Sequence, residues 1–336
     1  MSNERKMIYL CLAHMSDNGL EQKYIKEAFD TNWVVPLGPN VNGFEEDLKE
    51  FIGTDQREQP REVVALSAGT AAIHLALIAC GVKAGDEVCV QSFTFCASSH
   101  PVTYLGAYPV FIDSERDTWN MDPALLEEAI LDRIAKTGKK PKAIIPVALY
   151  GMPYNCEKIM AIAAKYNIPV IEDAAEGFGS KYKGQMLGTF GKMGVLSFNG
   201  NKMITTSGGG ALICEDKELK NKIMWYATQA REAYPYYQHE EIGYNYRMSN
   251  ICAGIGRGQM TIANDHIAHH KHVQALYEEL LAEVKGIKLH KAPSEAYDRL
   301  FVIPVHDFIY ILLLALCLLY TALPLYAERI EHLADE

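Results

Sequence analysis

At 336 residues, 49% apolar and 22% charged, the chain has the make-up of a globular enzyme with room for a large domain and a smaller one, which excludes a low-complexity or disordered protein. Its formal net charge of -10 repels a phosphate backbone, and the densest basic stretch, 136–142, is short and loop-like, so nucleic acid is excluded as a partner. The eight cysteines, at 11, 80, 89, 96, 156, 214, 252 and 317, form no CxxC pair or Cys/His cluster, so no metal is expected.

Several of those cysteines lie in apolar strand patterns, as in Glu87-Val88-Cys89-Val90, and read as small buried hydrophobes suited to a reducing compartment. No long apolar h-region follows the polar start Met1 to Lys6, so no signal peptide is expected and the cytoplasm is the expected location.

The middle of the chain alternates strand-like and helix-like patterns, which predicts an α/β fold with a mostly parallel sheet flanked by helices. Residues 63–66 are predicted as a short buried strand, Ser67-Ala68-Gly69 as a turn, and 70–79 as a helix. A second strand over 87–91 precedes the polar and aromatic Ser92-Phe93-Thr94-Phe95, and a third over 109–113 ends on an acid. A helix over 123–134 leads to a strand over 143–149, and a helix over 156–166 leads to a strand over 169–173 that ends on two carboxylates. Strands over 195–198 and 210–214 complete the set. Polar residues at so many strand ends point to a ligand site at the carboxyl edge of the sheet. Residues 250–286 read as amphipathic helix; His269, His270 and His272 there do not share one face, so they are not expected to ligate a metal.

Three places carry chemistry. In Ser67-Ala68-Gly69-Thr70-Ala71 a helix begins directly after a strand, and a helix N-terminus offers free N–H groups and a positive dipole end to a phosphate. A plain strand-to-helix turn looks the same. Asp173 follows an apolar strand, where a buried acid can keep a heteroaromatic nitrogen protonated, although Asp is equally at home as a helix N-cap. Lys202 stands among small and polar residues between two strands, ahead of Gly208-Gly209-Gly210; a lysine on such a pocket floor can act as an amine nucleophile and then as a proton shuttle.

Together these stretches resemble the DegT/DnrJ/EryC1/StrS family of sugar aminotransferases from about residue 8 to 259. The motifs are Gly38-Pro39 with Phe44-Glu45, Ser67-Ala68-Gly69-Thr70-Ala71, Ser92-Phe93-Thr94-Phe95, Glu172-Asp173-Ala174-Ala175-Glu176, Ser197-Phe198-Asn199-Gly200-Asn201-Lys202 and Gly243-Tyr244-Asn245-Tyr246-Arg247-Met248-Ser249. The resemblance implies the fold-type-I, aspartate-aminotransferase-like architecture and pyridoxal 5'-phosphate (PLP) as cofactor. Lys202 would carry the cofactor as a Schiff base and move the proton at the substrate carbon. Asp173 would pair with the pyridine nitrogen, Glu176 would lie near the ring's phenolic oxygen, and Phe95 would stack on the ring. Gly69, Thr70 and Ser197 would hold the phosphate. Asn245 would reach the phosphate of a neighbouring subunit, which implies a homodimer with shared sites. Arg247 would meet the donor carboxylate or a nucleotide diphosphate.

The Asn-Gly-Asn-Lys and Thr-Thr-Ser-Gly-Gly-Gly wording is most similar to the bacillosamine-type branch. That branch implies transfer of an amine from an amino acid, glutamate first, to a UDP-linked 4-keto-6-deoxy-N-acetylhexosamine for cell-surface glycans. Transfer to C3 of a related keto sugar and a non-catalytic remnant of the family are the alternatives. Lysine at 202 argues against the family's dehydratases, which carry histidine there.

The resemblance fades after Gly286 and ends by Arg299. The chain accordingly divides into a PLP-binding large domain over 1–249, a partial small domain over 250–305 and an atypical apolar tail over 306–336. An Arg-Pro-Leu-Trp-like motif, which family members carry near the substrate, does not occur. Residues 308–327 read FIYILLLALCLLYTALPLYA, uncharged over a length that could cross a bilayer. A shifted or truncated reading frame, a membrane anchor and a buried helix of a modified small domain are the three readings of this run. No basic residues flank it to set an orientation, and Pro324 interrupts it.

Overall fold

The computed structural model describes residues 14–53, 60–284 and 289–299. The apolar run 308–327 and the expected boundary at 305 lie outside the described residues, as do Cys11 and Cys317. Among the described residues no helix is long and apolar enough to cross a membrane.

Two helices come first among the described residues, α1 (Leu20–Asp30) and α2 (Pro39–Ile52). Proline at the first position of α2 needs no N–H there, and Gly38 before it has a positive φ of 138°. A Cβ on Gly38 would also lie 2.7 Å from Oδ1 of Asn250, so the close approach and the backbone angle both require glycine. Neither helix was legible as an element in the sequence, where Gly38-Pro39 read only as a motif.

The central sheet is built from β1 (Glu62–Leu66), β2 (Glu87–Gln91), β3 (Tyr108–Ile112), β4 (Ala143–Ile145), β5 (Ile171–Asp173), β8 (Met193–Ser197) and β9 (Gly210–Cys214). The strands run β3-β2-β4 and β5-β8-β9-β1, and parallel bridges Ile144 to Val170 and Val147 to Asp173 join the two groups. Every strand is parallel to the next except β9, which is antiparallel to both β8 and β1. The strand expected over 143–149 ends at Ile145, because Pro146 has no N–H to continue the ladder.

Both faces of the sheet are covered. Val63 and Ala65 point into one apolar cluster, and Val64 and Leu66 into the other, so β1 reads as a continuous apolar run. The largely buried α3 (Gly69–Ala79), with α4 (His100–Tyr104) and α7 (Lys217–Ala227), lies on one side. On the other, α5 (Pro123–Thr137) and α6 (Cys156–Tyr166) bury Leu126, Ile130 and Ile159. Local signals set these helix ends: Asp122, Asn155 and Asp216 accept N–H bonds as N-caps, and Gly138 and Asn167 end α5 and α6 in the left-handed conformation. A small sheet of β6 (Lys181–Tyr182), β7 (Gln185–Met186) and β10 (Tyr297–Asp298) sits apart, with Tyr182 and Tyr297 packed edge to face.

The stretch expected as one helix over 250–286 is two, α8 (Asn250–Met260) and α9 (Ala263–Leu280). The chain divides into two compact units, the first holding described residues 14–53, 60–270 and 292–299, the second 271–284 and 289–291. In the first, α8 packs on α1 and α2 and so belongs with the large sheet-bearing body. In the second, Glu278 accepts a hydrogen bond from Gln274 and pairs with Lys291 at 3.6 Å.

Candidate active site

The carboxyl ends of β1, β5 and β8 converge. Gly69, the first residue of α3, follows β1 after a two-residue turn, and a Cβ built on it would lie 3.3 Å from Cβ of Ser197 at the end of β8. Residues expected on one phosphate are thus neighbours although 128 positions apart in the chain. No side chain caps the N-terminus of α3, and Thr70 stands half-buried in its first turn. Gly210 of β9 backs this point: a Cβ there would clash with the backbone N of Gly69, so two backbones meet where neither bears a side chain.

Asp173 closes β5 and is buried. Its Oδ2 accepts from the Ser98 hydroxyl at 2.6 Å and its Oδ1 from the Ala175 N–H at 3.2 Å. Burial pushes its pKa above the usual aspartate value; the Ser98 hydroxyl, the Ala175 N–H and the Lys202 charge pull the other way, while Glu176 adds to the rise. Lys202 is near enough for its ammonium to act on that carboxylate. Its Nζ donates to Oε1 of Glu176 at 3.3 Å, and its side chain is 16% exposed. The other oxygen of Glu176 accepts from the Tyr150 N–H at 2.7 Å. Tyr150 has φ 51°, ψ 33°, a left-handed backbone uncommon outside glycine, and that angle turns its N–H onto the carboxylate.

Phe95 is 73% exposed, an uncovered ring directly ahead of the turn Cys96–Ser98 whose Ser98 binds Asp173. Asn245 is exposed, on a segment that runs beside the end of β1 through the Leu66 to Arg247 bridge.

Arg247 is bonded within the chain. Its guanidinium is buried and donates to Oε1 of Glu45 at 2.6 Å and to the Ala65 carbonyl at 2.9 Å. Through Nη1 this cation holds the segment to α2 and β1; motif position alone could not show which way it turned.

Sequence reasoning missed Ser98, Tyr150, Gln91 and Glu172 as contributors. Gln91 Oε1 accepts from the N–H groups of Met121 and Val147, and its Nε2 donates to Asn120 and to the Phe93 carbonyl, knitting the ends of β2 and β4 together. Glu172 accepts three N–H bonds from Gly188, Phe190 and Gly191, fixing the loop that leads into β8. The available signal was polar residues at the ends of apolar strands.

A buried acid, a half-buried lysine held by a second carboxylate and an uncapped helix N-terminus cradled by glycines, all at the carboxyl edge of one sheet, fit the nitrogen, carbonyl carbon and phosphate of PLP. That fold and arrangement define a fold-type-I PLP enzyme. The model of the DegT/DnrJ/EryC1/StrS aminotransferase family matches residues 16–310, and the chain belongs to that family. It is 49% identical over 283 residues to EpsN of Bacillus subtilis, named as a pyridoxal phosphate-dependent aminotransferase, covering 84% of this chain and 71% of that one. It is 36% identical to the GDP-perosamine synthase of Escherichia coli O157:H7, over 89% of this chain and 78% of that one. The crystal structure of a DegT/DnrJ/EryC1/StrS aminotransferase from Brucella abortus superposes with a TM-score of 0.78 at 32% identity, over 84% of this chain and 74% of the other. PLP is the cofactor of this family of sugar aminotransferases.

Proposed function

We propose that the enzyme moves an amino group from glutamate to C4 of a UDP-linked 4-keto-6-deoxy-N-acetylhexosamine. The observation that carries the reading is Lys202 Nζ on Glu176 at 3.3 Å, close enough to act on the buried carboxylate of Asp173. The GDP-perosamine synthase relative supports a nucleotide sugar as acceptor and makes a GDP-linked keto sugar the natural competitor in a test.

PLP, when bound, supplies the electron sink for the transfer. The Lys202 amine anchors it and, when free, carries a proton to and from the substrate carbon. Asp173 holds a proton on the ring nitrogen, because a buried carboxylate is stabilised by an adjacent cation. Glu176 positions Lys202 and lies toward the phenolic oxygen. Gly69, Thr70 and Ser197 hold the phosphate at the N-terminus of α3. Phe95 covers the ring face, and Asn245 reaches the phosphate held by a second copy, so the working unit is a homodimer.

The test loads the purified chain with PLP, reduces with borohydride and maps the label. Purified chain is then given glutamate with UDP-linked 4-keto, UDP-linked 3-keto and GDP-linked 4-keto sugars. Label on Lys202 with amination at C4 of the UDP sugar supports the reading. Label elsewhere overturns the site, turnover only with another sugar overturns the substrate, and label without any turnover makes the chain a non-catalytic member.

A further inference from the structure

Asp173 is enclosed by protein, and a carboxylate in that position stays an anion only while donors are aimed at it. One donor is a side chain: the Ser98 hydroxyl, itself wholly buried, 2.6 Å from Oδ2. A second hydroxyl, Oγ1 of Thr94, lies 2.7 Å from Oγ of Ser98. Serine has one hydroxyl proton, and the carboxylate can only accept it, so Ser98 has none left for Thr94. The contact between the hydroxyls therefore runs from Thr94 to Ser98, and the chain Thr94, Ser98, Asp173 has a single direction in which each bond polarises the next. The Ser98 N–H also donates to the Phe95 carbonyl at 3.1 Å, so the turn that presents the exposed ring is the one that grips the acid. The other ionisable groups acting on Asp173 are Lys202, which favours its charge, and Glu176, which opposes it.

We propose that Ser98, supported by Thr94, is a positioning residue that keeps the Asp173 anion less basic than it would be without the hydroxyl, so that the proton between Asp173 and the cofactor nitrogen stays on nitrogen. The inference rests on the reading of Asp173 as the nitrogen's partner. A hydroxyl bonded to a carboxylate stabilises its charged form. Without it the carboxylate becomes a stronger base and draws the proton from the ring, which weakens the ring as an electron sink. The number of protons on the pair does not change, so this shift is independent of pH.

The experiment is nitrogen-15 NMR of the full chain loaded with ring-labelled PLP. Wild type should give the protonated-ring resonance, and Asp173→Ala should lose it. Ser98→Ala should move the resonance toward the neutral-pyridine position, with a fall of about tenfold in the ratio of nitrogen-bound to oxygen-bound proton. Its kcat should fall about tenfold while KM for both substrates stays within about twofold. Ser98→Thr, which keeps a hydroxyl, should restore both, and Thr94→Val should give a smaller shift of the same sign. A wild-type resonance in Ser98→Ala, with Asp173→Ala still losing it, overturns the role of Ser98 and leaves that of Asp173 standing. An unchanged resonance in Asp173→Ala overturns the reading beneath and this inference with it. Should Ser98→Ala not fold, an unshifted resonance in Thr94→Val overturns the relay.

Discussion

The guanidinium of Arg247 and the carboxylate of Glu45 meet at 2.6 Å with both side chains 7% exposed, joining two segments 202 positions apart. Glu45 also accepts the Ala65 N–H, so the pair fastens α2, the middle of β1 and the segment carrying Asn245 at one point. Lys220 stands 3.9 Å from Glu45 and 3.0 Å from Glu62.

Breaking that pair from one side leaves a buried charge without its partner. Arg247→Met should lower stability by about 3–5 kcal/mol, and Arg247→Met with Glu45→Met should recover much of the loss. Urea unfolding of the two variants checks this. At a temperature where the single variant is folded, KM for both substrates should change little; a large rise would return Arg247 to substrate binding.

Gly69→Ala should lower PLP affinity about tenfold while the fold is kept. The added methyl would press on Ser197 at 3.3 Å, inside the distance at which two carbons pack comfortably, and a shift of Ser197 or of the turn to relieve it disturbs the cradle. Fluorescence titration with PLP measures it.

Lys202→Ala should lower turnover by about 10³-fold or more, through loss of both the anchoring amine and the proton carrier. Borohydride should then leave no label on that peptide, and added small amines should restore part of the rate.

Asp173 gives a pH dependence whose sign is opposite to that of an ordinary salt-bridged acid. Its folded pKa lies above the ordinary value of 3.8 because burial penalises the charge. The folded chain therefore holds the proton more tightly, so its stabilisation is full below 3.8 and is lost as the pH rises through the folded value. Cofactor-free Asp173→Asn should be more stable than the parent at neutral pH. The gain should shrink as the pH falls and vanish below 3.8, which urea unfolding across pH would record.

If Asn245 serves the neighbouring copy, Lys202→Ala and Asn245→Ala chains mixed after co-refolding should form sites with both residues intact. Each mixed dimer holds one such site, so an equal mixture should recover about a quarter of wild-type activity. No recovery, with mixed dimers present, would assign Asn245 to its own chain.

Local order was legible because it is written in adjacent residues. The bounds of α6 and β9 fall where periodicity and turn residues put them, since Asn155 and Asn167 cap one and β9 is apolar throughout. The ends of β1, β5 and β8 were legible as polar residues after apolar runs, and with them the nominated positions 69, 173 and 202; position 197 came from the family resemblance. Helices α1, α2 and α7 were not read as elements, and in α2 polar residues meet partners elsewhere in the chain. Asn40, for example, donates from its backbone N–H to Asn250 at 2.9 Å.

What the sequence determined by itself was the alternation of strand and helix, the sheet edge where ligand meets protein, and the residue types that chemistry there requires. These follow from side-chain periodicity and capping, which act over a few positions. Tertiary structure alone decided that β9 runs against its neighbours, that Ser98 is bonded to Asp173 from 75 positions away, and that Arg247 turns inward to Glu45. The reason is physical: a polar group enclosed in the core must find a partner, and which one it finds depends on packing between segments that no local pattern encodes.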